Sequence, residues 1–143
     1  RRHTRRISDF GGLKKSMPIY ASIFLFTSFA SIGLPGLNGF VGEFMILMGS
    51  YPTFKVLTSV AAFGVVLAAI YMLWAYQRMF NGQLDNDENA VLSDLNSKEL
   101  VAVGPLLALM LFIGIYPSFI ESYVVQDVSV IYESISNLIG VSQ

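Results

Sequence analysis

The chain has 143 residues, of which 54% are hydrophobic and only 13% charged, with a mean hydropathy of +0.59 and a net charge of −1. These proportions exclude an ordinary water-soluble domain and indicate a membrane protein. The absence of cysteine excludes disulfides, thiolate metal sites and dithiol redox motifs.

The chain opens RRHTRRISDFGGLKK, a basic polar stretch with neither an initiating methionine nor the apolar core of a signal peptide. The expectation is the middle of a loop in a longer polytopic protein. Residues 1–16 are assigned to this basic loop, with His3 a solvated side chain and not a ligand.

Residues 17–50 form the first apolar stretch. Continuous helix over this length would extend roughly 50 Å, against a hydrocarbon core of about 30 Å, so the segment must tilt, fold back or be broken. The sequence SIGLPGLNGFVGEF, residues 31–44, supplies a break. Pro35 has no N–H to donate and its ring clashes with the preceding turn, which deprives the carbonyl of Ser31 of its helical partner. Gly33 and Gly36 flank it. In lipid an unsatisfied carbonyl costs several kcal/mol, so such an interruption persists only where protein or water meets it. Ser28, Ser31 and Asn38 are candidates to bond the freed backbone or hold water. Asn38 is the expected cap of a second half-helix. Gly36, Gly39 and Gly42 recur at every third position, a stripe that another helix can approach closely.

Glu43 follows. Tyrosines aside, it is the only ionisable side chain among the apolar residues of the spans. With the far interface near Tyr51, it lies roughly 12 Å deep at about 1.5 Å per residue. An acid near the bilayer centre costs on the order of 2.5 to 3.5 kcal/mol, so a partner or a function must retain it. Burial favours the neutral acid and the positive end of a half-helix favours the anion. An acid between those pulls can exchange a proton as its surroundings change. The plainer alternative is a glutamate fixed in a permanent pair with a neighbouring helix. Broken helices beside charged midplane residues are, as a class, a feature of ion transporters.

Residues 56–77 have the length of a second span, and Tyr71, Trp74, Tyr76 and Phe80 near its end form an expected interfacial belt and packing surface. Residues 78–98 form an acidic loop carrying Asp85, Asp87, Glu88 and Asp94, with Glu99 just beyond it. It is expected to be a solvated connector, the alternative being a docking surface for a neighbouring subunit. Ser93 to Glu99 supply capping residues for the third span, residues 99–119. In the tail, residues 120–143, Val124, Val128, Ile131, Ile135 and Leu138 recur at helical spacing, with Glu121, Asp127 and Glu133 elsewhere. That is the pattern of an amphipathic helix at an interface or against a partner.

Charge sets the orientation. Arg1, Arg2, Arg5, Arg6, Lys14, Lys15, Arg78 and Lys98 share one side if residues 17–50 cross once, leaving Lys55 alone on the other. A re-entrant hairpin would make the split seven to two, so the cytoplasmic bias of Lys and Arg favours a single broken crossing. No phosphate-cradling loop, metal-ligand cluster or nucleophile paired with a base is present.

The segments HTRRISDFGGL, MPIYASIFLFTSFASIGLPGLNGFVGEFMILMGSY, AAIYMLWAYQRMFNG and LSDLNSKELVAVGPLLALMLFIGIYPS resemble the C-terminal third of the antiporter-like membrane subunits, type M or chain 4, of proton-pumping NADH:quinone oxidoreductase. The similarity weakens after about residue 120. The resemblance implies an all-α membrane protein. Its three transmembrane helices, the first discontinuous at Gly33–Gly36, would be the C-terminal part of a larger fourteen-helix bundle, followed by a C-terminal amphipathic helix. It implies that Glu43 is the proton relay on the broken twelfth helix, with Ser31, Gly33, Pro35, Gly36 and Asn38 forming the break and hydrated path. Both polar loops would be cytoplasmic, and the family's other pathway residues lie on helices outside this chain. The chain itself would carry no cofactor or metal. NADH, FMN, iron-sulfur clusters and quinone would sit on partner subunits, in a bacterial inner membrane with no nucleic-acid partner. A subunit of a multisubunit sodium/proton antiporter or membrane-bound hydrogenase shares the break and the glutamate; a structural membrane scaffold is the alternative of another class.

Overall fold

The computed structural model describes residues 4, 6–84 and 86–139, so the readings made for Arg1, Arg2, His3, Arg5 and Asp85 lie outside it, as do those for the side chains of Glu133 and Leu138. Every element among the described residues is helical. A 3-10 turn at Ile7–Asp9 and the single turn α1 (Leu13–Ser16) lead into α2 (Pro18–Ser31) and α3 (Asn38–Ser50). Then follow α4 (Lys55–Phe80), the short α5 (Asp87–Ala90), α6 (Ser97–Ile115) and α7 (Ser118–Ile139).

Local chemistry sets the helix ends. Pro18 opens α2 at the first helical position, where a missing N–H costs nothing. α4 continues past residue 77 to Phe80 and closes as Asn81 N–H donates to the Gln77 carbonyl at 3.1 Å. α6 starts on a capping box: Asn96 accepts from the Lys98 N–H at 2.7 Å, and Glu99 accepts from the Asn96 N–H at 2.8 Å. It stops at Ile115, short of the expected residue 119, because Tyr116 precedes Pro117 and is forced out of helical geometry, to φ −121° and ψ 64°.

Two helices, α4 and α6, are long and apolar enough to cross a bilayer, and only 6% and 0% of their most apolar windows are buried. So little burial within the described residues leaves their apolar surface to an apolar surround. α2 is a shorter apolar helix. With 14 and 13 residues, α2 and α3 each extend only about 20 Å, less than a bilayer core. They lie in succession along α4. Tyr20 and Phe24 of α2 pack on the C-terminal end of α4, with ring centroids of Phe24 and Phe80 5.0 Å apart and those of Tyr20 and Phe80 5.8 Å apart. Ile46, Leu47 and Ser50 of α3 border its N-terminal end, enclosing with Leu57, Thr58 and Ala61 a cavity of about 240 Å³.

The expected aromatic belt therefore divides. Tyr76 and Phe80 are buried in the core cluster with Leu13 and Ala21, while Tyr71 and Trp74 stay exposed, Trp74 beneath the Arg78 guanidinium at 5.2 Å.

Most of the acidic loop is exposed, but parts of it are pinned to the N-terminal segment and to α2. Asn89 is fully buried and its amide donates to the Asp9 carbonyl at 3.0 Å. Asp94 accepts from the N–H groups of Ile19 at 2.7 Å and Tyr20 at 3.0 Å. Gly11 and Gly12 are needed where the two segments meet, since a Cβ on Gly12 would lie 2.8 Å from the Leu84 nitrogen. Segment 7–16 and the 81–96 loop thus form one packed end of the molecule. At the other extreme, Val124, Val128, Ile131 and Ile135 of α7 are all exposed.

Candidate functional site

The site is built around the six residues, 32–37, between α2 and α3. α2 ends in a Schellman arrangement: Gly33, at φ +73°, occupies the left-handed position, and the Leu34 N–H reaches back to the Phe29 carbonyl at 3.0 Å. A tight turn follows at once. The Leu37 N–H donates to the Leu34 carbonyl at 3.1 Å across Pro35 and Gly36, and Gly36 lies at φ +93°. Proline second and a positive-φ glycine third make this a type II turn. Pro35 therefore does not kink a continuous helix. The helix has ended at Ser31, and the proline turns the chain toward α3.

That turn shifts the second half-helix by one residue from expectation. Leu37, extended at φ −116° and ψ 157°, holds the N-cap position and provides no side-chain cap. Asn38 is the first residue of α3, not its cap. Its side-chain oxygen is buried and has no hydrogen-bond partner. A buried amide acceptor left unpaired costs roughly 1 to 3 kcal/mol.

Glu43 lies one turn further along α3, partly buried, and its carboxylate folds back onto the break. A Cβ built on Gly33 would fall 3.1 Å from Glu43 Cδ and closer still to Oε2. The carboxylate thus rests on the bare Cα of Gly33. No hydrogen bond or ion pair joins Glu43 to another described residue.

The remaining predicted residues divide. Gly36 meets α6, where a Cβ on Gly114 would collide with the Gly36 carbonyl and the Leu37 backbone. Ser31 stands exposed on the last turn of α2, and Ser28, not Ser31, is the buried serine, donating to the Phe24 carbonyl at 2.7 Å. Of the glycine stripe, Gly36 meets α6 through its carbonyl and Gly39 lies against the Ala30 carbonyl, while Gly42 faces open space. The close helix approach comes from Gly114, which had no local signal in the sequence. Among the described residues, no three His, Cys, Asp or Glu side chains are grouped as metal ligands.

The arrangement is an acid with no bonded partner among the described residues, lying on a glycine in the gap of its own helix. Residues 1–70 match the family described as NADH:quinone oxidoreductase/Mrp antiporter, transmembrane. The chain is 44% identical over 127 residues to NADH-quinone oxidoreductase subunit M of Rhodobacter capsulatus, covering 87% of this chain and 24% of that one. It is 37% identical over 139 residues to subunit M of Rickettsia bellii, covering 97% and 27%. Among solved structures, a chain of respiratory complex I from Thermus thermophilus with bound NADH superposes with a TM-score of 0.74 at 33% identity, covering 83% of this chain and 25% of that chain. The chain thus spans about a quarter of the length of the relatives it matches.

Proposed function

Because this chain belongs to the antiporter-like membrane family of NADH:quinone oxidoreductase and Mrp antiporter subunits, we propose that it is the C-terminal part of a proton-translocating subunit of NADH:quinone oxidoreductase. In this reading α2 and α3 make one broken crossing, α4 and α6 make two more, and residues 1–16 and the 78–98 loop face the cytoplasm. The order of α2 and α3 along α4 supports the single crossing, because a hairpin would return to the end of α4 where it began.

The observation that carries the proposal is the contact between the Glu43 carboxylate and Gly33. A carboxylate in the gap of a broken helix faces polar backbone and space for water, while two half-helices keep the rest of the segment apolar. Glu43 takes a proton onto a carboxylate oxygen from water on one side and releases it to water on the other. Asn38 holds water near the gap, and the turn at Pro35 keeps the two half-helices from closing into one continuous helix. NADH, FMN, iron-sulfur clusters and quinone belong to partner subunits, whose redox energy drives the transfer across a bacterial inner membrane.

The test is Glu43→Gln in the intact membrane assembly. Glutamine keeps the shape and cannot carry the proton, so normal assembly with proton translocation reduced about tenfold or more is expected. Normal translocation with impaired assembly would instead support a structural scaffold. Translocation that requires sodium, in an assembly without NADH-oxidising subunits, would indicate the antiporter branch of the family.

A further inference from the structure

We infer that Asp94, in the connector between α4 and α6, is a positioning residue that sets the first half of the broken helix against α6 and so fixes the Gly33 floor beneath Glu43. The inference rests on the proton-path reading of the break.

The N-terminus of α2 has no cap of its own, since Met17 provides no side-chain bond. Its first turn is nonetheless fully accounted for. Pro18 has no N–H, the Ala21 N–H donates to the Met17 carbonyl at 3.0 Å, and the Ile19 and Tyr20 N–H groups both donate to Asp94, to Oδ2 at 2.7 Å and Oδ1 at 3.0 Å. Two bonds from one carboxylate fix both the height and the rotation of the helix they cap, and the charge faces the positive end of the α2 dipole. Oδ1 also accepts from the Leu95 N–H at 2.7 Å, immediately before the Asn96 cap that starts α6.

α6 is therefore tied to the broken segment at two levels. Asp94 ties their starts. Gly114, close to the end of α6, lies against Gly36 and Leu37 in the break. A segment held at the first turn of α2 and again in the turn that follows its end has little freedom to slide. Gly33 directly follows that helix and supports the Glu43 carboxylate. Without the lower tie, α2 is left to its packing on α4 through Tyr20 and Phe24, while α3 keeps its contacts with both α4 and α6.

The experiment compares Asp94→Ala and Asp94→Asn with the unmodified protein in the full membrane assembly, reading amide hydrogen exchange and protons moved per electron. Asp94→Ala is expected to speed exchange at Ile19 and Tyr20 and, at a distance, at Leu34 and Leu37 in the break by about tenfold, with α4 unchanged and a lower proton yield. Asp94→Asn keeps one acceptor oxygen and is expected to recover part of both, which also provides a readable variant if the alanine form does not assemble. Faster exchange confined to Ile19 and Tyr20 overturns the inference and leaves Asp94 a local cap. An unchanged proton yield beside a loosened break also overturns it, provided that Glu43→Gln abolishes translocation. Where Glu43→Gln translocates normally, the proton-path reading has failed, and the break amides alone then decide whether Asp94 positions α2.

Discussion

Two places in this molecule use glycines in the left-handed conformation to turn the chain, and they differ in what the missing Cβ makes room for. At the packed end, Gly12 at φ +64° lies against the backbone of Gln83 and Leu84, and Gly11 faces the Gln83 carbonyl. At the break, Gly33 at φ +73° lies against the carboxylate of Glu43, the free end of a flexible side chain. The first contact joins two backbones that cannot give way, while the second meets a group that can swing aside. One glycine lets two backbones meet, and the other leaves room for a side-chain carboxylate.

Substituting both glycines by alanine tests that distinction. Gly12→Ala is expected to have the larger effect on stability. It combines a backbone conformation unfavourable to L side chains with a clash at 2.8 Å against the Leu84 nitrogen. A loss of about 2 to 3 kcal/mol follows, visible as a lower unfolding midpoint or reduced assembly, with proton yield per assembled complex unchanged. Gly33→Ala is expected to cost less in stability, about 1 to 2 kcal/mol, because the same strain is paired with a movable neighbour. Its proton yield should fall further than its stability, since the new methyl group occupies the seat of the carboxylate. Equal stability losses with equal, intact yields would remove the contrast between the two sites.

The break and its acid are legible in the sequence because their causes are local. Pro35 and the two glycines stop a helix wherever they occur, and a single carboxylate in an apolar run is conspicuous. The family resemblance rests on the same residues, and the profile and the subunit M relatives support it. What the sequence does not reveal depends on partners far along the chain. Asp94 is in a run that caps α6, yet its side chain caps a helix about 75 residues earlier. Gly114 is one apolar-helix glycine among several until α6 is laid against the break. Tyr76 and Tyr71 share a helix and a residue type, and only the position of α2 decides that one is buried and the other exposed. The N-cap of α3 lies one residue before Asn38 because the type II turn ends at Leu37, leaving Asn38 inside the helix with an unpaired oxygen.

That oxygen sets the smallest and most discriminating expectation. In a purely structural break, a buried acceptor without a partner is a defect, and replacing Asn38 by leucine, of similar size, removes it. Asn38→Leu is therefore expected to leave stability unchanged or raise it by up to about 1 kcal/mol, since no hydrogen bond within the protein is lost and an unsatisfied polar atom disappears. If the gap conducts protons, the same change dries it, and the proton yield falls while the protein becomes no less stable. Thermal unfolding of the assembly and proton yield in sealed vesicles read the two effects separately. A destabilised variant with intact yield would mean that the Asn38 oxygen binds a purely structural water. Stability gained at the expense of conduction is the outcome that distinguishes a wetted gap from a bend in a helix.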